Sequence, residues 1–197
     1  MELILLRHAA TKGNLMRRYI GVTDEKLSPE GEAAARRTAD LLPKVQAVYA
    51  SPLLRCQRTA EILFPGHTPL VLLGFRETDF GRFENKSYED LKNDREYQNW
   101  IDSGGSLAFP GGESTETVKR RVLQAFDDMV LDMEQKNIKR ASAVVHGGTI
   151  MALLSERACP KRSFYDWQVG NCEGFMLMVL NDHKHLELIG ELKADTK

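Results

Sequence analysis

Short apolar runs alternate along this chain with longer segments of helical periodicity. "ELILL" (2–6), "VQAVYAS" (45–51), "PLVLLGF" (69–75) and "ASAVVHG" (141–147) are brief and aliphatic, and each predicts a strand, the first and last of them buried. Between them, "LSPEGEAAARRTADLL" (27–42), "SPLLRCQRTAEIL" (51–63), "STETVKRRVLQAFDDMVLDMEQ" (114–135) and "GTIMALLSERA" (148–158) predict helices. Ser28–Pro29 and Ser51–Pro52 each offer an N-cap hydroxyl followed by proline at the first helical position. "GFMLMVLN" (174–181) and "HLELIGELK" (185–193) predict a closing hairpin at the sheet edge. Strand–helix alternation of this kind favours an α/β fold. The expectation is a three-layer α/β/α sandwich with a mostly parallel central sheet and an antiparallel edge, forming a single domain over residues 1–197. The polar stretch from about 82 to 113 interrupts the alternation. It predicts a short helix around Tyr88–Trp100, then the turn-rich "SGGSLAFPGGES".

Composition narrows the function classes. The net charge is −1 over 197 residues, which gives no electrostatic basis for binding nucleic acid or an anionic membrane surface. No apolar run approaches the roughly 20 residues needed to span a bilayer, and "ELILL" is too short for a secretory h-region. Cys56, Cys159 and Cys172 are odd in number and widely spaced, so the expected setting is a reducing cytoplasm.

Two segments share one plan. "LILLRH" and "AVVHGG" each end a buried strand in a histidine, followed by small residues and a helix. Ligands of open α/β sheets bind at the carboxyl ends of the strands, so His8 and His146 face one crevice if their strands are neighbours. Two unrelated loop histidines are the alternative. Arg7 adjoins His8, and Arg55 and Arg58 share a face of the helix that starts at Ser51–Pro52. Guanidinium forks and helix N-termini both hold phosphate, although a solvated basic face is the common fate of such a pair. Thr11, Asn14 and the glycines after His146 offer further phosphate donors. Glu77 follows the third strand, where a carboxyl group can act as general acid–base; Asp79 and Glu84 are possible substitutes. His67, His183 and His185 lack this context and read as surface residues. The sequence has no HExxH, clustered Cys/His, calcium loop or GxxxxGK[ST], so neither metal nor cofactor is expected.

Together these segments resemble the histidine phosphatase superfamily, also called phosphoglycerate mutase-like. Arg7-His8 is similar to its Arg-His-Gly signature, with Thr11 and Asn14 at the signature's Ser/Thr and Asn. "GVTDEKLSPEGEAAA", which begins at Gly21, looks like the stretch that follows. "SPLLRCQRTAEIL" is similar to the Ser-x-x-x-Arg-x-x-x-Thr-Ala segment and selects Arg55 over Arg58. "RETDFGRFE" is similar to Glu-x-x-x-Gly-x-x-Glu and selects Glu77; "PGGES" and "VVHGGTIMALL" complete the order.

The resemblance implies His8 as a nucleophile that forms a phosphohistidine. It implies Arg7, Arg55 and His146 as ligands of the phosphoryl oxygens, with Thr11, Asn14, Gly21, Arg58 and Gly147 as further phosphate contacts. Glu77 would protonate the leaving alcohol and then activate water. The implied substrate is a small phosphomonoester. Mutases of the family carry an arginine-bearing insertion. Residues 81–113 have Arg82 and Arg95 but no Arg-Arg pair, and "RRYIGVTDEKLS" and "GRFENKSYEDL" look most like α-ribazole phosphatases. A mutase or bisphosphate-specific enzyme is the alternative within the family. Ala9 stands where the family has glycine, Ala10 where an acidic residue is common, and Asn85 where a second glycine is usual. The two alanines keep open a third reading, a non-catalytic phosphate-binding module. Phe83, Tyr88, Tyr97, Trp100, Leu107 and Phe109 either line the crevice or pack their own segment.

Overall fold

A computed structural model describes residues 1–194. The first half of the chain runs β1 (Glu2–Arg7), α1 (Lys12–Leu15), α2 (Pro29–Ala39), β2 (Ala47–Ala50), α3 (Leu54–Leu63) and β3 (Leu70–Val71). After α4 (Tyr88–Leu91) and α5 (Arg95–Asp102) come α6 (Thr115–Gln135), β4 (Arg140–Val145) and α7 (Gly147–Arg157). The strands β5 (Ala158–Cys159), β6 (Gly174–Val179) and β7 (Leu186–Leu192) follow.

The strands form one seven-stranded sheet in the order β3-β2-β4-β1-β6-β7-β5. Pairings are parallel from β3 to β1, and antiparallel at β1/β6 and β6/β7. The hairpin β6–β7 therefore gives the expected antiparallel side. It is one strand short of the rim, because the two-residue β5 pairs in parallel with β7.

Strand pleating builds two cores. Leu3 and Leu5 join Val122, Phe126 and Met129 of α6 and Leu153 of α7. Ile4 and Leu6 point the other way, to Ala35 of α2 and Cys56 and Ala60 of α3. All four residues of β1 from Leu3 to Leu6 are buried, as a strand covered on both faces requires. A third, smaller cluster of Phe83, Leu91, Tyr97 and Phe109 belongs to the segment between β3 and α6.

Four local expectations need correcting. Ser28 caps α2 as read, accepting the Gly31 N–H at 3.0 Å with Pro29 at the first helical position. Ser51 does not repeat this: α3 starts at Leu54 behind Leu53, which provides no side-chain cap. The strand expected over 69–75 ends at Val71 and becomes a 3-10 turn over Leu73–Phe75, which buries Phe75 in the core. The helix expected around Tyr88–Trp100 is two helices, because Asp94 accepts the Glu96 and Tyr97 N–H groups and starts α5 afresh. His67, read as a surface residue, is half-buried with Nε2 at 3.1 Å from the Val45 carbonyl.

Candidate active site

The three adjacent parallel strands β2, β4 and β1 deliver Ser51, His146 and His8 at their carboxyl ends. Register does the alignment. Arg7 lies opposite Val145, so one residue further places His8 opposite His146. The ring centroids are 5.1 Å apart, edge to face, and both side chains are buried. The neighbourhood that two similar strand ends left conditional is thus realised by the β1–β4 pairing.

His8 Nδ1 is 2.7 Å from the Ala9 carbonyl. A carbonyl only accepts, so the neutral ring carries its proton on Nδ1 and its lone pair on Nε2. Asn171 donates to the His8 carbonyl at 2.9 Å, and the Ala9 N–H reaches Thr59 Oγ1 at 3.0 Å. Thr59 in turn donates to the Arg55 carbonyl at 2.6 Å, which stitches α3 to the loop behind His8. Ser51 Oγ lies 2.6 Å from His146 Nε2 and fixes that ring's rotation.

Both imidazoles are held well below the ordinary value of 6.5. Burial is the first cause for each. The Arg55 and Arg7 guanidinium charges add to it at His8; Arg55, the neighbouring His8 and Arg7 add to it at His146. An unfolded chain binds protons on these rings below about pH 6.5 that the folded chain refuses, so stability rises with pH through this range. Two such groups set a limiting slope of about 2.7 kcal/mol per pH unit. Urea unfolding should therefore give a lower stability at pH 5.5 than at pH 7.5. The gap should shrink when His8 and His146 are both replaced by Asn; equal stability of the unsubstituted protein at the two pH values would contradict the burial argument.

Arg55 is fully buried. Its Nη1 donates to the Thr23 carbonyl at 2.9 Å, and its Nη2 to the Gly21 and Ile20 carbonyls at 2.8 and 3.2 Å. Among the described residues its Nε is buried with no hydrogen-bond partner, and so is Nε of Arg7, whose Nη1 donates to the Val169 carbonyl at 2.7 Å. Two guanidinium groups beside two imidazoles thus each keep a donor that the protein does not satisfy. Buried polar groups are almost always hydrogen-bonded, and an oxyanion supplies the acceptor these donors lack.

Glu77 reaches the same place from beyond β3. Its Oε1 accepts the Thr78 N–H at 2.8 Å, and its Oε2 lies 3.4 Å from the Gly148 nitrogen in the first turn of α7. A Cβ at Gly148 would sit 2.5 Å from Glu77 Oε1, so a side chain there would push the carboxyl group aside. At Gly147 a Cβ would make ordinary contacts with the Arg7 side chain, from 3.6 Å at Nε.

The remaining sequence candidates divide. Thr11 and Asn14 bond each other's backbone in a capping box at the start of α1, so Thr11 Oγ1 and Asn14 Oδ1 are engaged locally. Gly21 gives its N–H to Glu84 at 3.2 Å and its carbonyl to Arg55. Arg58 stands outside the cluster, half-exposed and paired with Glu32 and Glu61. Glu84 is an organiser of the Arg55 loop: it accepts from Gly21, Val22, Phe80 and Thr23. Asp79 Oδ1 accepts the Gly81 N–H at 2.9 Å. Ser51, Thr59 and Asn171 were missed by sequence reasoning. Ser51 and Thr59 left a signal as the Ser and Thr of the Ser-x-x-x-Arg-x-x-x-Thr-Ala segment, whereas Asn171 left none.

The departures from the family pattern are accommodated. Neither Ala9 nor Ala10 has a positive φ, so alanine is unstrained at both. Asn85 does take the left-handed conformation, at φ 60°, which asparagine tolerates.

A cavity of about 430 Å³ opens at Thr78 and Gly148, the neighbours of the Glu77 carboxyl group, and is walled by Tyr19, Phe80, Trp100, Phe109 and Tyr165. The aromatic residues in question are therefore split. Trp100 and Phe109 line it, Phe83 and Tyr97 pack in their own cluster, and Tyr88 and Leu107 are exposed. Lys119 is the charged residue among those lining the cavity, and it pairs with Glu156 at 2.6 Å.

Comparison with known proteins identifies the family. The family model for the histidine phosphatase superfamily (branch 1) matches residues 3–191. Phosphoserine phosphatase 1 of Hydrogenobacter thermophilus is 31% identical over 62% of this chain, a match that spans 61% of that relative. The solved phosphoglycerate mutase from Thermus thermophilus is 31% identical, covers 99% of this chain and 100% of its own, and superposes with a TM-score of 0.73. The solved α-ribazole phosphatase from Shigella flexneri superposes better, with a TM-score of 0.84 over 98% of this chain and 96% of its own, but at 22% identity that likeness concerns the fold. With the family's segments in order and its model matched from residue 3 to 191, this chain belongs to the histidine phosphatase superfamily, branch 1.

Proposed function

We propose that the chain is a phosphomonoester hydrolase working through a phosphohistidine on His8. The observation that carries this reading is the buried imidazole pair, 5.1 Å apart, beside two guanidinium groups with unpartnered Nε donors. His8 Nε2 attacks phosphorus as the ester P–O bond breaks, and the leaving oxygen takes a proton from Glu77. Arg7, Arg55, His146 and the Gly147 N–H stabilise the phosphoryl oxygens. Water then attacks the phosphohistidine, Glu77 accepts its proton, and phosphate leaves with His8 restored. The cations that this step needs come from arginine, so the reaction is proposed to be metal-independent. Free Cys56, Cys159 and Cys172 support a cytoplasmic setting.

Residues 82–113 are proposed as the substrate-covering segment of a single domain. Aromatic walls suit an alcohol with a flat, uncharged body, such as an aryl or ribosyl group, and α-ribazole 5′-phosphate is one candidate of this chemistry. The carboxylate of a phosphoglycerate would have to compete with Glu156 for Lys119, and a buried unpaired charge is costly. Lys119 is also the observation that favours the second reading, a mutase. A phosphate-release assay over aryl, ribosyl and carboxylated phosphomonoesters, run with EDTA and beside a coupled mutase assay, tests the assignment. Hydrolysis of aryl or ribosyl esters should exceed interconversion of 2- and 3-phosphoglycerate. Mutase turnover above hydrolysis of every ester tried would reverse the assignment, and activity lost to EDTA would remove its metal-free step.

A further inference from the structure

The segment that carries Glu77 has little secondary structure of its own beyond the 3-10 turns at Leu73–Phe75 and Gly81–Phe83. A largely buried ion pair grips its main chain. Arg121 of α6 donates Nε to Glu113 Oε1 at 2.9 Å and Nη2 to Glu113 Oε2 at 2.7 Å, a bidentate fork in which the side chains are 11% and 12% exposed. The other N–H groups of the guanidinium go to the backbone around Glu77. Nη1 donates to the Gly74 and Arg76 carbonyls at 2.8 and 2.6 Å, and Nη2 to the Glu77 carbonyl itself at 3.0 Å. All five donors of the guanidinium are thereby engaged. Glu113 closes the other side, accepting the Asp79 N–H at 3.1 Å and Arg76 Nη2 at 2.9 Å.

We infer that Arg121 and Glu113 are positioning residues that set the place of the Glu77 carboxyl group without touching substrate. The pair grips the carbonyls before and at Glu77 and the N–H two residues after it, so it fixes where the Glu77 side chain leaves the main chain. Lysine cannot reproduce this, since it lacks the planar fork. The inference rests on the reading of Glu77 as the leaving group's proton source, and the test separates the two.

A proton donor matters little when the leaving group is already a weak base and greatly when it is an alkoxide. The readout is therefore kcat/KM, which reports the step in which the alcohol leaves, across nitrophenyl, phenyl and alkyl phosphates. Glu77→Gln is the reference. Arg121→Lys and Glu113→Gln are the tests, with Glu113→Asp in reserve should either fail to fold, and thermal unfolding is followed for each. The expected result is a nitrophenyl phosphate rate within about threefold of the unsubstituted enzyme and an alkyl phosphate rate lower by about ten- to a hundredfold, as a misplaced catalytic group produces. A uniform loss across all leaving groups in the Arg121 and Glu113 variants, with Glu77→Gln still selective for good leaving groups, would overturn the inference and leave the role of Glu77 intact. A Glu77→Gln variant that showed no such selectivity would overturn the role of Glu77 itself.

Discussion

His8→Ala is expected to lose at least about a thousandfold in turnover, because the covalent route disappears with the nucleophile. What would remain is the electrostatic grip proposed for Arg7, Arg55 and His146 on the phosphoryl group, with no atom to accept it. The geometry makes the loss specific to His8. Its Nδ1 proton is engaged by the Ala9 carbonyl at 2.7 Å, so Nε2 alone has the free lone pair. His146 cannot substitute, because its Nε2 is held by the Ser51 hydroxyl at 2.6 Å. In the unsubstituted enzyme, rapid quenching should trap phosphate on His8 in an acid-labile, base-stable form. Turnover near normal in His8→Ala, or label recovered on His146, would refute the assigned nucleophile.

Arg55→Ala is expected to cost about 2–4 kcal/mol in transition-state binding, the range seen when one preorganised oxyanion donor is removed. It should also lower stability. The Ile20, Gly21 and Thr23 carbonyls lose their donor together, and each buried group left unsatisfied costs about 1–3 kcal/mol. Arg58→Ala makes the contrast. Arg58 lies half-exposed against Glu32 and Glu61, so its loss should change kcat/KM by no more than about twofold. Steady-state kinetics with thermal unfolding of both variants decides this. A larger kinetic loss in Arg58→Ala than in Arg55→Ala would mean that the phosphate arginine has been misassigned.

The two arginines show how far the sequence could be read. A helix starting near Ser51 puts Arg55 in its first turn, and that survived the shift of the start to Leu54. Which way Arg58 points depends on Glu32 of another helix, and one-dimensional spacing cannot report it. The histidine pair was legible because two buried strands ended alike, and parallel register then aligned the ends. The Ser-Pro pair was ambiguous because the same hydroxyl satisfies either a helix N–H or an imidazole. At Ser28 the helix took it, and at Ser51 the imidazole did. The clamp on Glu77 was invisible, since it joins Arg121 to carbonyls more than forty residues earlier in the chain. The two-residue β5 carries too few residues to show a period.

The aromatic cluster of Phe83, Leu91, Tyr97 and Phe109 shares no member with either sheet-facing core. Substitutions at sites without shared partners act almost additively. If the cavity holds the body of the substrate, the part of its wall that belongs to this cluster, Phe109 with Tyr19, Phe80 and Trp100 packed against it, can be exchanged one side chain at a time while the imidazole pair and its arginines keep their partners. A chain arranged in this way can pass from one alcohol to another by single mutational steps, each intermediate still able to transfer phosphate.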